Sequence, residues 1–472
     1  MPGAPSGFLG KLSAERPMLA TGVWSTGLVA LCALGARHSL DAATGDLILR
    51  FVAIAGAVVC APLAIAALTP QRLVYRIPYL VIALAVCVFL VASSFGAIVP
   101  GGLAPPQLLA GAGVGLFIFL AALSPMTRST LRLGGIGPVA AVTGAAGGIG
   151  YLALENLLAS PFSAAASAIA LTAGVCVGAG VGADYAQHFA RGLTPRTAAA
   201  AAGHSALAPA AFSVLASVIC MLIVTYNANF GAVDWRVLAA CSATVLLAAA
   251  TAMVFASAAL SMFSPSEQAA VDENRRRQRF AESWRPVRKR LPATTAGAAS
   301  AIAGVLVVIA LFEVSLPNVA SLAVFLFLIM AASGLAFVSV RTSLLIAALL
   351  FASSIFAGYV YAIFDMAAPA LTERFVALTL CAIAFSQLTV SWRNAGDIWR
   401  NARDIAQNAM SDGLRRFAIA FGAGGAATVA SAYAFNWDAG IGVATYYAIV
   451  AGIGLFLAPV LMVTLSAQYQ RY

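Results

Sequence analysis

Gly178-Ala179-Gly180-Val181-Gly182-Ala183-Asp184-Tyr185-Ala186-Gln187-His188-Phe189 carries one acidic side chain in a run otherwise without charge. An aspartate at the centre of a membrane helix costs about 2.5–3.5 kcal/mol to insert, so a carboxyl there marks a functional position by default. The alternating glycines Gly178, Gly180 and Gly182 leave room for a neighbouring helix to approach closely, which would bury the carboxyl inside a bundle and away from lipid. A carboxyl kept out of water yet able to gain and lose a proton is what a proton carrier requires. His188, one turn on at i+4, is placed to pass a proton onward, and Tyr185 to hydrogen-bond a partner. The same aspartate would also be accommodated near the membrane surface, about two turns before Arg191, capped by water.

The apolar character of this stretch extends along the whole chain. Residues are 62% hydrophobic and only 9% charged, and the mean hydropathy is +0.94, more apolar surface than a water-soluble domain can cover. The solvent is therefore expected to be lipid, which a helix crosses with about 20 apolar residues. Such runs fall at approximately 17–36, 46–68, 78–97, 107–125, 134–154, 163–190, 207–226, 236–263, 294–313, 318–338, 342–362, 375–392, 414–434 and 439–466. The expectation is an all-α integral membrane protein of about fourteen transmembrane helices, with little mass outside the bilayer.

Charge sets the orientation. Lys11 and Arg16, Arg72 and Arg76, Arg128 and Arg132, Arg191 and Arg196, Arg341, and Arg400 and Arg403 alternate with connections such as 98–106 and 155–162 that hold almost no Lys or Arg. By the positive-inside rule the basic side is cytoplasmic, and so are both termini. The same rule accounts for the net charge of +10 without a nucleic-acid partner. The hydrophilic segment 264–293 contains Arg275-Arg276-Arg277, Arg279, Arg285, Arg288, Lys289 and Arg290 among acidic residues, and reads as a cytoplasmic linker over 265–291. Its basic half is also suited to anionic headgroups, at about 1 kcal/mol per charge. The preference for arginine, with lysine only at Lys11 and Lys289, fits a GC-rich bacterial genome and hence the bacterial inner membrane.

An internal repeat organises the spans. Ala170-Leu171-Thr172 returns as Ala377-Leu378-Thr379, and Arg76-Ile77-Pro78 resembles Arg290-Leu291-Pro292. Each Ala-Leu-Thr span leads to a basic start, an Ala-rich helix and a glycine, over Arg191 to Gly203 and again over Arg393 to Gly413. The units expected are an extra helix pair over 1–70, a six-helix repeat over 71–264, the linker over 265–291, and a second six-helix repeat over 292–472. Repeats of like topology, related by an axis along the membrane normal, are a known transporter layout.

Gly182-Ala183-Asp184-Tyr185, followed by Arg191-Gly192-Leu193-Thr194-Pro195-Arg196 and Gly203-His204-Ser205-Ala206, resembles the fourth transmembrane helix and following loop of the resistance-nodulation-division (RND) superfamily, nearest its MmpL-type lipid exporters. The resemblance is specific over about 60 residues and diffuse over roughly 72–466. It implies a proton-relay role for Asp184 and Tyr185, and a meeting of the two repeat helices at the pseudo-axis. Gln387 or Ser391 would then be placed to hydrogen-bond Asp184, and Arg393 to hold it ionised. Two departures stand out. The family's large extracytoplasmic insertions are replaced by the short connections 98–106 and 314–317, and Ser391-Trp392 stands where the second copy would carry another Asp-Tyr pair.

No phosphate-binding loop, metal-ligand cluster or nucleophile with a nearby base appears in the sequence, so neither nucleotide nor metal nor cofactor is expected, and no enzymatic activity. The expected function is an inner-membrane RND-like transporter that couples proton movement through Asp184 to translocation of a lipid or hydrophobic substrate. Lacking porter domains, it would work with an extracytoplasmic or membrane protein partner, or move substrate along grooves in contact with membrane lipids. The competing expectation is a non-transporting scaffold or lipid-sensing subunit of a larger membrane complex.

Overall fold

The computed structural model describes residues 8–38, 136–157, 161–190, 192–228, 232–262, 316–367, 369–396 and 402–468. Among these there is no strand. The helices are α1 (Phe8–Glu15), α2 (Pro17–His38), α3 (Ile136–Leu154), α4 (Pro161–Ala190), α5 (Pro195–Ser205), α6 (Leu207–Ala228), α7 (Trp235–Met262), α8 (Leu316–Phe337), α9 (Val340–Ile363), α10 (Leu371–Gly396), α11 (Ala402–Ala434) and α12 (Gly440–Gln468). The spans expected at 46–68, 78–97, 107–125 and 294–313, and the linker at 265–291, lie outside the described residues. The other expected spans each coincide with one of these helices.

Within the described residues, 6 helical segments are long and apolar enough to cross a membrane: Phe162–Phe189, Pro195–Ala228, Trp235–Ala258, Val340–Ile363, Leu371–Trp392 and Gly440–Met462. In hydrocarbon every backbone N–H and C=O must be satisfied within the chain, and a helix does this segment by segment. The chain is accordingly a helical, multi-pass, membrane-embedded protein.

Burial separates central from peripheral helices. The apolar windows of α10 and α4 are 100% and 94% buried, against 44–67% for the other four segments, so these two form the middle of the bundle. Around them the neighbour pairs occur twice. α3, α4 and α7 pack on one another with α6 against α7, while α9, α10 and α12 pack on one another with α11 against α12. Between the two groups α4 packs on α11, α10 packs on α6, and α4 meets α10.

Small residues allow this density. A Cβ on Gly174 of α4 would lie 2.6 Å from the Ala141 Cβ of α3, and one on Gly148 of α3 would lie 2.5 Å from the Thr244 side chain of α7. The helix pair expected before the repeat is represented by α2, which docks on α3 and α7. A Cβ on its Gly35 would collide with the Gly150 carbonyl oxygen, and its Trp24 indole donates to Thr251 Oγ1 at 2.8 Å. An indole N–H in an apolar setting needs such a partner.

The two expected repeats differ at one break. After α4 the chain reverses through Gly192, whose φ of +87° suits glycine, with Leu193 N–H donating to the His188 carbonyl and Gly192 N–H to that of Phe189. This double bond pattern closes a helix C-terminus. Thr194 then caps α5, its Oγ1 accepting from Thr197 N–H, with Pro195 preset for the first helical position. α5 ends at Ser205 and α6 begins at Leu207, because Pro209 lacks an N–H and its ring clashes with the carbonyl four residues earlier. The second copy has no proline there, and α11 runs unbroken from Ala402 rather than from near 414.

Candidate functional site

Asp184 lies in the last two turns of α4 and is 4% exposed. Its two carboxylate oxygens have different partners. Oδ1 accepts from Arg416 Nη2 of α11 in a close ion pair, and Oδ2 accepts from the Ser205 hydroxyl at 2.5 Å. Arg416 is itself 3% exposed, so both members of the pair are withdrawn from water. Ser205 is the last residue of α5, brought back beneath α4 by the Gly192-Thr194-Pro195 turn. Its Oγ also lies 2.9 Å from the Ala202 carbonyl, which restricts its rotamer.

Aromatic packing fixes the far side of the pair. Phe417, next to Arg416, stacks on Phe385 of α10 at 5.9 Å, and Phe421 one turn on stacks on Tyr447 of α12 at 5.8 Å. The Tyr447 hydroxyl donates to the Ala420 carbonyl at 3.0 Å. A Cβ on Gly424 would meet the Tyr447 ring at 2.5 Å, so glycine is needed for this approach. The guanidinium therefore projects from a helix held on one side by α10 and α12.

The residues singled out in the sequence are distributed around this pair. Tyr185 is buried in a cluster that includes Val181, Ala198, Ala199, Ala202 and Leu260, and its ring stacks on Phe189 at 6.0 Å. His188 is half-buried, one turn further along α4. Gly178, Gly180 and Gly182 are all buried. A Cβ on Gly180 would lie 3.8 Å from Gln387 Oε1 and 3.9 Å from Arg416 Nη1, which is ordinary contact. Gln387 is 2% exposed, and its Oε1 and Arg416 Nη1 both lie near Gly180. Ser391 is buried, donates to the Gln387 carbonyl at 3.3 Å and packs against Gly413 of α11. Arg393 lies on α10, with its side chain outside the described set.

Arg416 and Ser205 do not emerge from the sequence. Arg415-Arg416 stands at the edge of an apolar run, where arginine is expected by the positive-inside rule, and Ser205 sits in a connecting helix. The signal for Arg416 is the absence of a breaker before it. With α11 starting at Ala402, the arginine lies about 21 Å along a continuous helix.

At the opposite end of the bundle the acidic groups cap and bridge. Arg236 donates to Glu155 at 3.4 Å, and Glu373 Oε2 accepts from Ala370 N–H at 3.0 Å. Among the described residues no group of three or more His, Cys, Asp or Glu could hold a metal ion, and Cys176, Cys220, Cys241 and Cys381 are buried free thiols.

As a carboxylate, Asp184 ties α4 to α11 by a charge-assisted bond. Protonated, it loses the charge that holds the guanidinium, while Oδ2 remains within reach of Ser205. Compared with models of known protein families the chain matches none, and no curated protein sequence matches it.

Proposed function

We propose that the chain is a proton-coupled transporter of the RND type in a bacterial inner membrane, in which uptake and release of a proton by Asp184 drives translocation of a lipid or hydrophobic substrate. The observation that carries this reading is the buried ion pair between Asp184 of α4 and Arg416 of α11, one member from each set of packed helices. The doubled neighbour pairs and the Gly-Ala-Asp-Tyr element support the same reading.

The physical step is simple. A buried ion pair is a poor source of stability, because desolvation offsets most of the Coulomb gain, but breaking it from one side is expensive, about 3–5 kcal/mol. Protonation of Asp184 breaks it from one side. The energy is relieved if α11 shifts so that Arg416 finds another acceptor, and a shift of α11 relative to α4 is a shift of one helix set against the other. Binding a substrate that favours one arrangement then couples to the proton. In the expected orientation Asp184 lies toward the cytoplasmic side and both termini are cytoplasmic. The substrate passes within the bilayer, or to a partner that supplies the extracytoplasmic part.

The test is proton flux in proteoliposomes made with a bacterial lipid extract and an entrapped pH dye. After an outside-acid pH step the wild-type chain acidifies the lumen in a lipid-dependent manner, and Asp184→Asn does not, while still eluting as a folded protein of wild-type size. Equal flux through Asp184→Asn removes the proposal.

A second reading, a scaffold or lipid-sensing subunit that does not transport, draws on Ser391 and Trp392. Both are buried where the second repeat would carry another Asp-Tyr pair, and Ser391 is engaged with its own helix. A stable complex with another membrane protein, together with no proton flux from that complex, selects this reading.

A further inference from the structure

The end of the bundle away from Asp184 is the extracytoplasmic end of the expected topology, where arginine is disfavoured. Among the described residues it carries Arg236 and Arg374. Arg236 is exposed and paired with Glu155. Arg374, in the first turn of α10, is half-buried, and no carboxylate among the described residues pairs with it. Its Nε donates to the Pro369 carbonyl at 2.8 Å. Pro369 is buried, and a Cβ on Gly442 of α12 would lie 4.0 Å from its own Cβ. The connection between α9 and α10 thus fixes the guanidinium through one nitrogen and leaves both Nη groups without a hydrogen-bond partner among the described residues.

Two phenols join it from other helices. Tyr361 in the last turn of α9 and Tyr446 in the second turn of α12 are 6% and 5% exposed, with ring centroids 5.7 Å apart. Both lie within Coulombic reach of Arg374. Their hydroxyls have no hydrogen-bond partner among the described residues, and neither oxygen is fully enclosed. A buried phenol ordinarily reaches a polar partner at its tip. The neighbouring acids do not supply one: Glu373 Oε2 accepts from Ala370 N–H, and Asp365 and Asp438 are exposed and form no ion pair with Arg374. A cation and two phenolic donors therefore converge with no acceptor of their own.

We propose that Arg374, Tyr361 and Tyr446 hold a phosphate-bearing anion at the extracytoplasmic end of α9, α10 and α12, and that a phospholipid headgroup presents it. A phosphodiester is charged at every physiological pH, and its oxygens match the guanidinium fork while leaving acceptors for the phenols. The surroundings select the lipid source. Ile363 and Phe364, which follow Tyr361, are 74% and 69% exposed, and Ile441 at the start of α12 is 52% exposed. Acyl chains cover such side chains while the headgroup stays level with Arg374. Trp437, ahead of α12, stands where interfacial indoles collect. The inference needs these helix ends to lie at the membrane surface and does not need proton uptake by Asp184, so it fails or holds separately from the transport reading.

Native mass spectrometry of the full-length chain in an uncharged detergent, with phosphatidylglycerol added, counts the lipids retained. The basic segment 264–293 also suits anionic headgroups, so the difference between wild type and variants is the readout. The wild type retains one phosphatidylglycerol more per chain than Arg374→Gln, whose affinity at this site falls about tenfold with the loss of a charge-assisted contact. Tyr361→Phe combined with Tyr446→Phe keeps both rings in place and loses the same lipid. Arg236→Gln retains as many lipids as the wild type, and excess inorganic phosphate does not displace the additional one. Equal retention by the wild type, Arg374→Gln and the double tyrosine variant overturns the site. Displacement by inorganic phosphate overturns the phospholipid as its occupant.

Discussion

Arg416 is the residue on which stability and the proposed cycle meet. Its partner Asp184 can relieve an isolated charge by taking a proton, whereas a guanidinium cannot, so the two single truncations are unequal. Asp184→Asn leaves the buried guanidinium facing a neutral amide and should cost about 3–5 kcal/mol. Arg416→Leu leaves a carboxyl that can take a proton while bonded to the Ser205 hydroxyl, and should cost less than the loss in Asp184→Asn. The double variant Asp184→Asn with Arg416→Leu should recover part of that loss, as an apolar replacement of a buried pair often does. A thermal-melting cycle over these variants checks the order; independent, additive losses would contradict it. Of this site, Asp184 was legible because a lone acid in an apolar run has a high and sign-definite cost. Arg416 was not, because an arginine at the edge of a span has an ordinary explanation, and only the helix that continues upstream of it makes it interior.

At the scale of the helices, glycines on one element do different work. Gly174 of α4 touches α3 with no room for a methyl, the Ala141 Cβ standing 2.6 Å from the added carbon. Gly174→Ala should therefore strain the contact and cost about 1–3 kcal/mol. Gly180→Ala, whose nearest neighbours would be at 3.8 and 3.9 Å, should fold with a melting temperature close to wild type. If Gly180→Ala melts far below Gly174→Ala, the packing of α4 described above is wrong. The glycine pattern in the sequence announced close approach but not which glycine bears it, since that depends on which face of α4 meets α3. On α2, Trp24→Phe removes the bond to Thr251 and should lower stability by about 1 kcal/mol, read from the same melting curves. The break between α5 and α6, absent from α11, was half legible. Pro209 interrupts the helix in the first expected repeat, whereas in the second Gly413 reads as the end of an Ala-rich helix, although a run without proline continues through it.

For the whole molecule, length and hydropathy of the runs were enough to place the described spans, because lipid thickness and backbone satisfaction leave little alternative to a helix of about 20 residues. How those helices pack was not contained in their hydropathy, which is uniform around α4 and α10. What marks them as central is that small and polar residues occur on every face, as Ser386, Gln387, Thr389 and Ser391 do on α10, all buried. The proposed orientation predicts that cysteines introduced at the exposed positions Thr197 and Trp235 fall on opposite sides of the membrane. An impermeant thiol reagent applied to the periplasmic face should label the Trp235 site and spare the Thr197 site; equal labelling of both would contradict the topology. The described native cysteines are buried and contribute little background.

The central claim, that one enclosed carboxyl changes its protonation state, is tested most directly by potentiometric titration of the purified wild type and Asp184→Asn at equal concentration over the range in which both stay folded. The account predicts that the wild type binds one more proton per chain than the variant. Superimposable titration curves would contradict it.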